Sequence, residues 1–194
     1  AILWNNMNAV QDKETYSAGT SYSKKTKTSV YARLNYNWKS RYYLTVTGRY
    51  DGASNFAANN KWAFFPSAAL KWNISNENFL KDCNWIDDLS LRLSAGLTGN
   101  DAISTYRSLA TLSSTTGGYL FDGSQPVAFY RSRLDSPDLT WEKTTAYNVA
   151  IDWSMFKGRL NITAEAYKSK TTDLLMSLAV AAQTGYTSRW TNIG

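Results

Sequence analysis

Thr28-Ser-Val-Tyr-Ala-Arg-Leu-Asn-Tyr-Asn-Trp38, then Lys39-Ser40-Arg41, then Tyr42-Tyr-Leu-Thr-Val-Thr-Gly-Arg-Tyr-Asp51: through this stretch the side chains alternate in character. Val30, Ala32, Leu34, Tyr36 and Trp38 fall on one side of the first run. Ser29, Tyr31, Arg33, Asn35 and Asn37 fall on the other. The second run sets Tyr42, Leu44, Val46, Gly48 and Tyr50 against Tyr43, Thr45, Thr47, Arg49 and Asp51. A period of two places successive side chains on opposite faces of a strand, and so short a break joins the two strands as a hairpin.

The same period recurs downstream. Trp62–Ile74 carries Trp62, Phe64, Pro66, Ala68, Leu70, Trp72 and Ile74 on one face. Leu89–Thr98 sets Leu89, Leu91, Leu93, Ala95 and Leu97 against Ser90, Arg92, Ser94, Gly96 and Thr98. Ala146–Met155 and Arg159–Tyr167 repeat it, with Lys157-Gly158 closing a hairpin between them. None of the side chains on these apolar faces is charged, in a chain that is 19% charged overall. Arg33, Arg49, Asp51, Lys71, Arg92, Asp152, Arg159 and Glu165 all take the other face. A slip of one residue would invert every strand, so the faces are strongly specified. Pro66 breaks the pattern, because proline belongs at a bulge or a sheet edge. The expected fold is all-β and antiparallel.

Two solvents could meet the apolar face. In a soluble β-sandwich, such as a carbohydrate-binding module, the face meets a second sheet; in a transmembrane β-barrel it meets lipid. Aromatic residues gather at the strand ends, with Trp38, Tyr42, Trp72 and Trp153 at one side and Tyr50, Trp62 and Tyr147 at the other. From Trp62 to Trp72, at ~3.3 Å per residue and a tilt near 40°, the strand covers roughly 25 Å, the height of a barrel's apolar band. Connections also alternate. Lys39–Arg41 and Phe156–Gly158 are short, and Ser75–Asp88 shares their side, whereas Asp51–Lys61, Gly99–Thr145 and Thr171–Gly194 lie opposite. Short turns on one side and long loops on the other are the outer-membrane pattern. These features favour a segment of about six strands from a larger transmembrane barrel.

Composition narrows the function classes. The 194 residues carry a net charge of +6, yet only Lys24–Lys27 forms a basic cluster, so nucleic-acid binding is not expected. Histidine is absent, which removes Ser-His-Asp chemistry and the usual zinc sites and makes a barrel hydrolase a poor rival. The lone Cys83 can form no disulfide within the chain and reads as a partly buried thiol. Asp51-Gly-Ala-Ser-Asn55 opens like a calcium loop, but Trp62 stands where the closing glutamate would fall. We expect no catalytic residue, metal or cofactor.

Several short motifs, in order, resemble those of SusC/RagA-type TonB-linked outer-membrane proteins. They are Arg49-Tyr-Asp-Gly-Ala-Ser-Asn-Phe56, Lys61-Trp-Ala-Phe-Phe-Pro-Ser67, Trp72-Asn-Ile-Ser-Asn-Glu77, Leu91-Arg-Leu-Ser-Ala-Gly-Leu-Thr-Gly-Asn100, Asp138-Leu-Thr-Trp-Glu142, Tyr147-Asn148 and Thr172-Asp-Leu-Leu175. The resemblance implies a barrel of about 22 strands around a plug. It also implies a SusD-like surface lipoprotein partner and import of glycans or peptides powered by TonB. The plug and the TonB-contacting region would lie outside these residues. On this reading residues 1–27 are an outer loop or strand end, and residues 28–194 are barrel strands embedded in outer-membrane lipid. Loops 99–145 and 171–194 would face the cell exterior. The long loop Gly99–Thr145 offers aromatic and arginine side chains suited to sugar rings or peptide backbones. Its candidate ligand contacts are Tyr119, Phe121, Phe129, Tyr130 and Arg131.

Overall fold

A computed structural model describes residues 22–80, 83, 85–115, 120, 122–123 and 127–194. Among the described residues ten strands follow one another: β1 (Lys27–Trp38), β2 (Tyr42–Ala53), β3 (Trp62–Asn73), β4 (Ile86–Asn100), β5 (Thr111–Thr115), β6 (Ala128–Arg133), β7 (Glu142–Met155), β8 (Leu160–Thr172), β9 (Leu174–Ala179) and β10 (Ser188–Ile193). The long ones form a single antiparallel sheet in the order β1-β2-β3-β4-β7-β8, and β5-β6 and β9-β10 are separate two-stranded ribbons. All six strands read from the alternation are present. Five of them run further than the alternation reached: β1 begins at Lys27, β4 begins at Ile86, β7 begins at Glu142, β2 ends at Ala53 and β8 ends at Thr172.

Register carries the apolar face unbroken across the sheet. Tyr36 lies opposite Leu44, Leu44 opposite Leu70, Leu70 opposite Leu93, Leu93 opposite Val149 and Val149 opposite Ala166. Val30, Leu34, Val46, Phe64, Val149 and Ile151 on this face are all exposed. In water such a surface would drive aggregation, whereas in hydrocarbon it is solvated. The opposite face holds most of the charges and pairs several of them laterally. Arg92 donates to Asp152 at 2.7 Å, Thr163 donates to the same carboxylate, and Asn148 bonds Glu165. β1 and β8 each leave one edge unpaired in this sheet. In lipid an unpaired backbone group costs several kcal/mol, so further barrel strands must close those edges.

The short-turn end is tied down by polar residues. Lys39 and Ser40 both take positive φ, the conformation of mirror-image hairpin turns, and Phe156, Lys157 and Gly158 do the same in the second hairpin. Trp38, Tyr42 and Trp72 stack in series, with ring centres 5.6 and 6.1 Å apart. Beyond them Glu77 accepts hydrogen bonds from the Tyr42 hydroxyl, the Trp72 indole and Arg41. The Tyr42 and Trp72 hydrogen bonds, with the Arg41 charge, hold the Glu77 carboxyl below the usual range.

Pro66 proves to sit at a fork. β3 pairs with β2 through Gly48 opposite Pro66, but its ladder with β4 stops at Ser67 opposite Gly96. A residue without an N–H fits where a ladder ends. Past the fork the strands part, and the Phe65 ring occupies the space beside Gly99. A Cβ on Gly99 would lie 2.0 Å from that ring, so glycine is required there. Leu97, assigned to the apolar face by its alternation, keeps its register opposite Thr145 and packs against the buried cluster around Phe65 where β3 and β4 separate.

Candidate functional site

At the long-loop end, residues from five segments converge on a small core. Ala53 ends β2, Phe56 comes from the β2–β3 connection, Phe65 from β3, Ile103 from the segment after β4, and Leu139 and Trp141 from the segment before β7. Leu175 of β9 and Trp190 of β10 pack on its rim. Trp141 and Phe56 are each only 1% exposed, with ring centres 5.3 Å apart, and Phe65 meets Trp141 edge-on at 5.5 Å. The Trp141 indole N–H is satisfied by the Lys61 carbonyl at 3.1 Å. Buried aromatics of this size contribute more than any other side chains to a small core.

Polar groups lock the same segments. The Asn55 amide, fully buried, donates to the carbonyls of Asp101 and Ile103, and Ser108 donates back to the Asn55 carbonyl. Arg49 pairs with buried Asp51 at 2.7 Å. Glu142 accepts from the Asn100 amide and from the Leu175 backbone N–H. Asn192 exchanges two hydrogen bonds with Thr140, and its amide also reaches the Asp173 carbonyl. The motifs Arg49–Phe56, Asp138–Glu142 and Thr172–Leu175 thus meet in one place. Their residues fix the architecture of the loop end, and the resemblance to a calcium loop at Asp51–Asn55 is accounted for by that role. Among the described residues no group of acidic, histidine or cysteine side chains could hold a metal ion.

Asp101 bridges Lys25 at 3.1 Å and Lys27 at 3.2 Å, latching the start of β1 onto the segment after β4. Burial by itself would raise its carboxyl, but the hydrogen bonds and charges of the two lysines outweigh that and hold it below the ordinary range. A carboxyl depressed in the folded state stabilises the fold above its unfolded pKa, about 3.9, and that stabilisation is lost as pH falls through the lower folded value. The protection of the amides over Lys27–Tyr31, taken relative to their intrinsic exchange at each pH, is therefore expected to be flat from neutrality to about pH 4 and to fall below it. Asp101→Asn should show the lower protection at neutral pH and no acid step. An unchanged acid step in that variant would place its origin elsewhere.

The long loop is not structureless. β5 and β6 pair within it, Thr111 opposite Arg133 and Thr115 opposite Ala128. Of the candidate ligand contacts, Phe129, Tyr130 and Arg131 lie on β6, and all three are exposed. Phe129 and Arg131 share one face of the ribbon with Ser114 and Leu112, while Tyr130 takes the other face with Ser113. Tyr119 and Phe121 lie outside the described residues. The alternation in this ribbon was missed in the sequence because polar and apolar residues are mixed on both of its faces. Phe56, Leu139 and Trp141 gave no periodic signal either, because each sits outside a regular apolar stripe and meets partners distant in sequence.

A family model described as TonB dependent receptor-like, beta-barrel, matches residues 3–194. The chain is 37% identical over its whole length to TonB-dependent receptor P39 of Formosa agariphila, covering 19% of that protein. It is 39% identical over 180 residues to TonB-dependent receptor SusC of Bacteroides thetaiotaomicron, covering 90% of this chain and 18% of SusC. The RagAB peptide importer in its closed-closed state superposes with a TM-score of 0.75 at 31% identity, over 87% of this chain and 18% of that one. The chain thus spans about a fifth of the length of the relatives it matches. With an apolar outward face, a paired polar face and this match along its length, the chain belongs to the TonB-dependent receptor β-barrel family of the Gram-negative outer membrane, of the SusC/RagA type.

Proposed function

We propose that this chain is the strand-and-loop wall of a transporter that imports oligosaccharides or peptides across the outer membrane, working as an importer and not as an enzyme. The observation that carries the reading is the two-faced sheet, apolar outward and polar inward, which superposes on the wall of a peptide importer. The long-loop end faces the cell exterior and the short turns face the periplasm, as short periplasmic turns with longer outer loops are the rule in such barrels. Segments 99–145 and 171–194 are then outer loops, and a SusD-like lipoprotein covers them. Energy comes from TonB through a plug and N-terminal region elsewhere in the protein. Tyr119, Phe121, Phe129, Tyr130 and Arg131 contact the ligand, with the two faces of the β5–β6 ribbon serving different parts of it or dividing ligand from lid.

Orientation and transport are tested separately. Cysteine at Ser113 should react with an impermeant maleimide on intact cells, and cysteine at Lys157 should not; the reverse pattern would overturn the orientation. For transport, a deletion strain should lose uptake of a labelled oligopeptide mixture or a labelled oligosaccharide mixture, and the wild-type gene should restore it in a manner that requires TonB. Unchanged uptake of both mixtures would reject the function.

A further inference from the structure

The outward face stops being charge-free at one place. Continuing β8 beyond the stretch whose alternation is legible puts Lys168 opposite Tyr147 and Lys170 opposite Thr145, both lysines exposed and both on the face of Ile162, Ala164 and Ala166. A lysine ammonium held at the middle of a hydrocarbon band is costly, and a long side chain avoids that cost by running along the wall to the interface, so these two ammonium groups reach the headgroups of the nearer leaflet. Tyr147, read as an aromatic of the outer belt, stands in the same row as Lys168.

Directly beside them the apolar face is indented. One row across the sheet reads Val46, Ala68, Ala95, Tyr147, Lys168, and the two alanines leave a dip next to the larger residues of the row below. The dip is a groove of about 350 Å³ lined by Leu44, Ala68, Leu70, Leu93, Ala95 and Val149, with Tyr147 at its end. Its lining is almost wholly apolar, so an acyl chain fits it. Strands lie about 4.8 Å apart, which sets Lys168 roughly 10 Å from Ala95, within the span of one lipid from chain to headgroup.

We propose that this face binds one lipid specifically: an acyl chain lies in the groove over Ala68 and Ala95, and a phosphate-bearing headgroup of the outer leaflet is held by Lys168 and Lys170. Charge complementarity selects the occupant: the next charge along this wall, Lys143, is already paired with Asp173, so the ammonium groups of Lys168 and Lys170 attract an anionic headgroup and a neutral one gains nothing from them. Tyr147 packs between chain and headgroup, where its amphipathic ring belongs. The assignment of the headgroup to the outer leaflet rests on the proposed orientation; the binding itself does not.

The test is a lipid titration by native mass spectrometry on the full-length protein, purified in detergent and stripped of lipid. The probes are a lipid A preparation bearing its phosphates and the same lipid after enzymatic dephosphorylation. One copy of the phosphorylated probe should bind well above the background of further copies, and the dephosphorylated probe should bind only at background. Lys168→Gln with Lys170→Gln should weaken the first copy about thirtyfold, while Lys168→Arg with Lys170→Arg retains it. Ala95→Leu, which fills the groove, should weaken it with both lysines in place. A retained heat-modifiable band reports that each variant is folded. Equal binding of the two probes by the wild type, or undiminished binding by the double glutamine variant, would overturn the proposal. Loss of folding in that double variant, with no lipid preference in the wild type, would also overturn it by assigning the lysines to a protein partner. Detergent imposes no sidedness, so this result stands apart from the maleimide labelling.

Discussion

Arginine at Leu93 is expected to cost the folded barrel about 2–4 kcal/mol, while arginine at the adjacent Ser94 should be nearly neutral. Leu93 lies on the outward face between Leu70 and Val149, in the row that also holds Leu44. A guanidinium there must sit near the middle of the hydrocarbon, with no carboxylate on that face within the neighbouring strands. Ser94 is one residue away but points to the interior, between Ala69 and Asn148, where water and polar side chains receive the charge. Folding of the full-length protein into bilayers, followed by urea titration of each variant, measures the difference. Equal costs at the two positions would mean that the apolar face meets protein and not lipid, which is the sandwich alternative.

Trp141→Ala should cost the loop end about 3–5 kcal/mol, the range for removing a fully buried tryptophan. The substitution removes the ring that Phe56 and Phe65 pack against and strands the Lys61 carbonyl that accepts its N–H. It also removes the surface beneath the Lys27 ammonium, which lies 5.3 Å from the ring centre. The damage should stay at that end. The spanning strands β1 to β4, β7 and β8 hold their own ladders, so the variant should still insert and give a heat-modifiable band. Its outer segments, however, should become sensitive to protease on intact cells. If the segments around Ile103 and Leu139 remain as resistant as in the wild type, the cluster does not organise the loops.

The two predictions draw on different kinds of information. The facing of Leu93 and Ser94 is legible in the bare sequence, because a period of two is a local property and six strands repeat it. Strand pairing between sequence neighbours follows from the same pattern where the break is short, as at Lys39–Arg41. The separation of charge from apolar residues and the aromatic ends also pointed to lipid as the solvent before any coordinates. The β5–β6 and β9–β10 ribbons left no such trace, since they are short and their polar and apolar residues do not alternate cleanly.

Alternation along Thr28–Asp51 and its repeats thus determined the fold class, the register of faces and the membrane as solvent, because each follows from neighbours one or two residues apart. Only the tertiary structure decided that Phe56, Phe65, Leu139 and Trp141 form one core, with the Trp141 indole on a carbonyl 80 residues away. It also decided that Pro66 ends a ladder and that Leu97 meets the buried cluster past the fork. Lys168 and Lys170 came beside an apolar groove by the same route, through strand pairing. Such contacts join segments far apart along the chain, and loop closure leaves no periodic mark on the residues that it brings together.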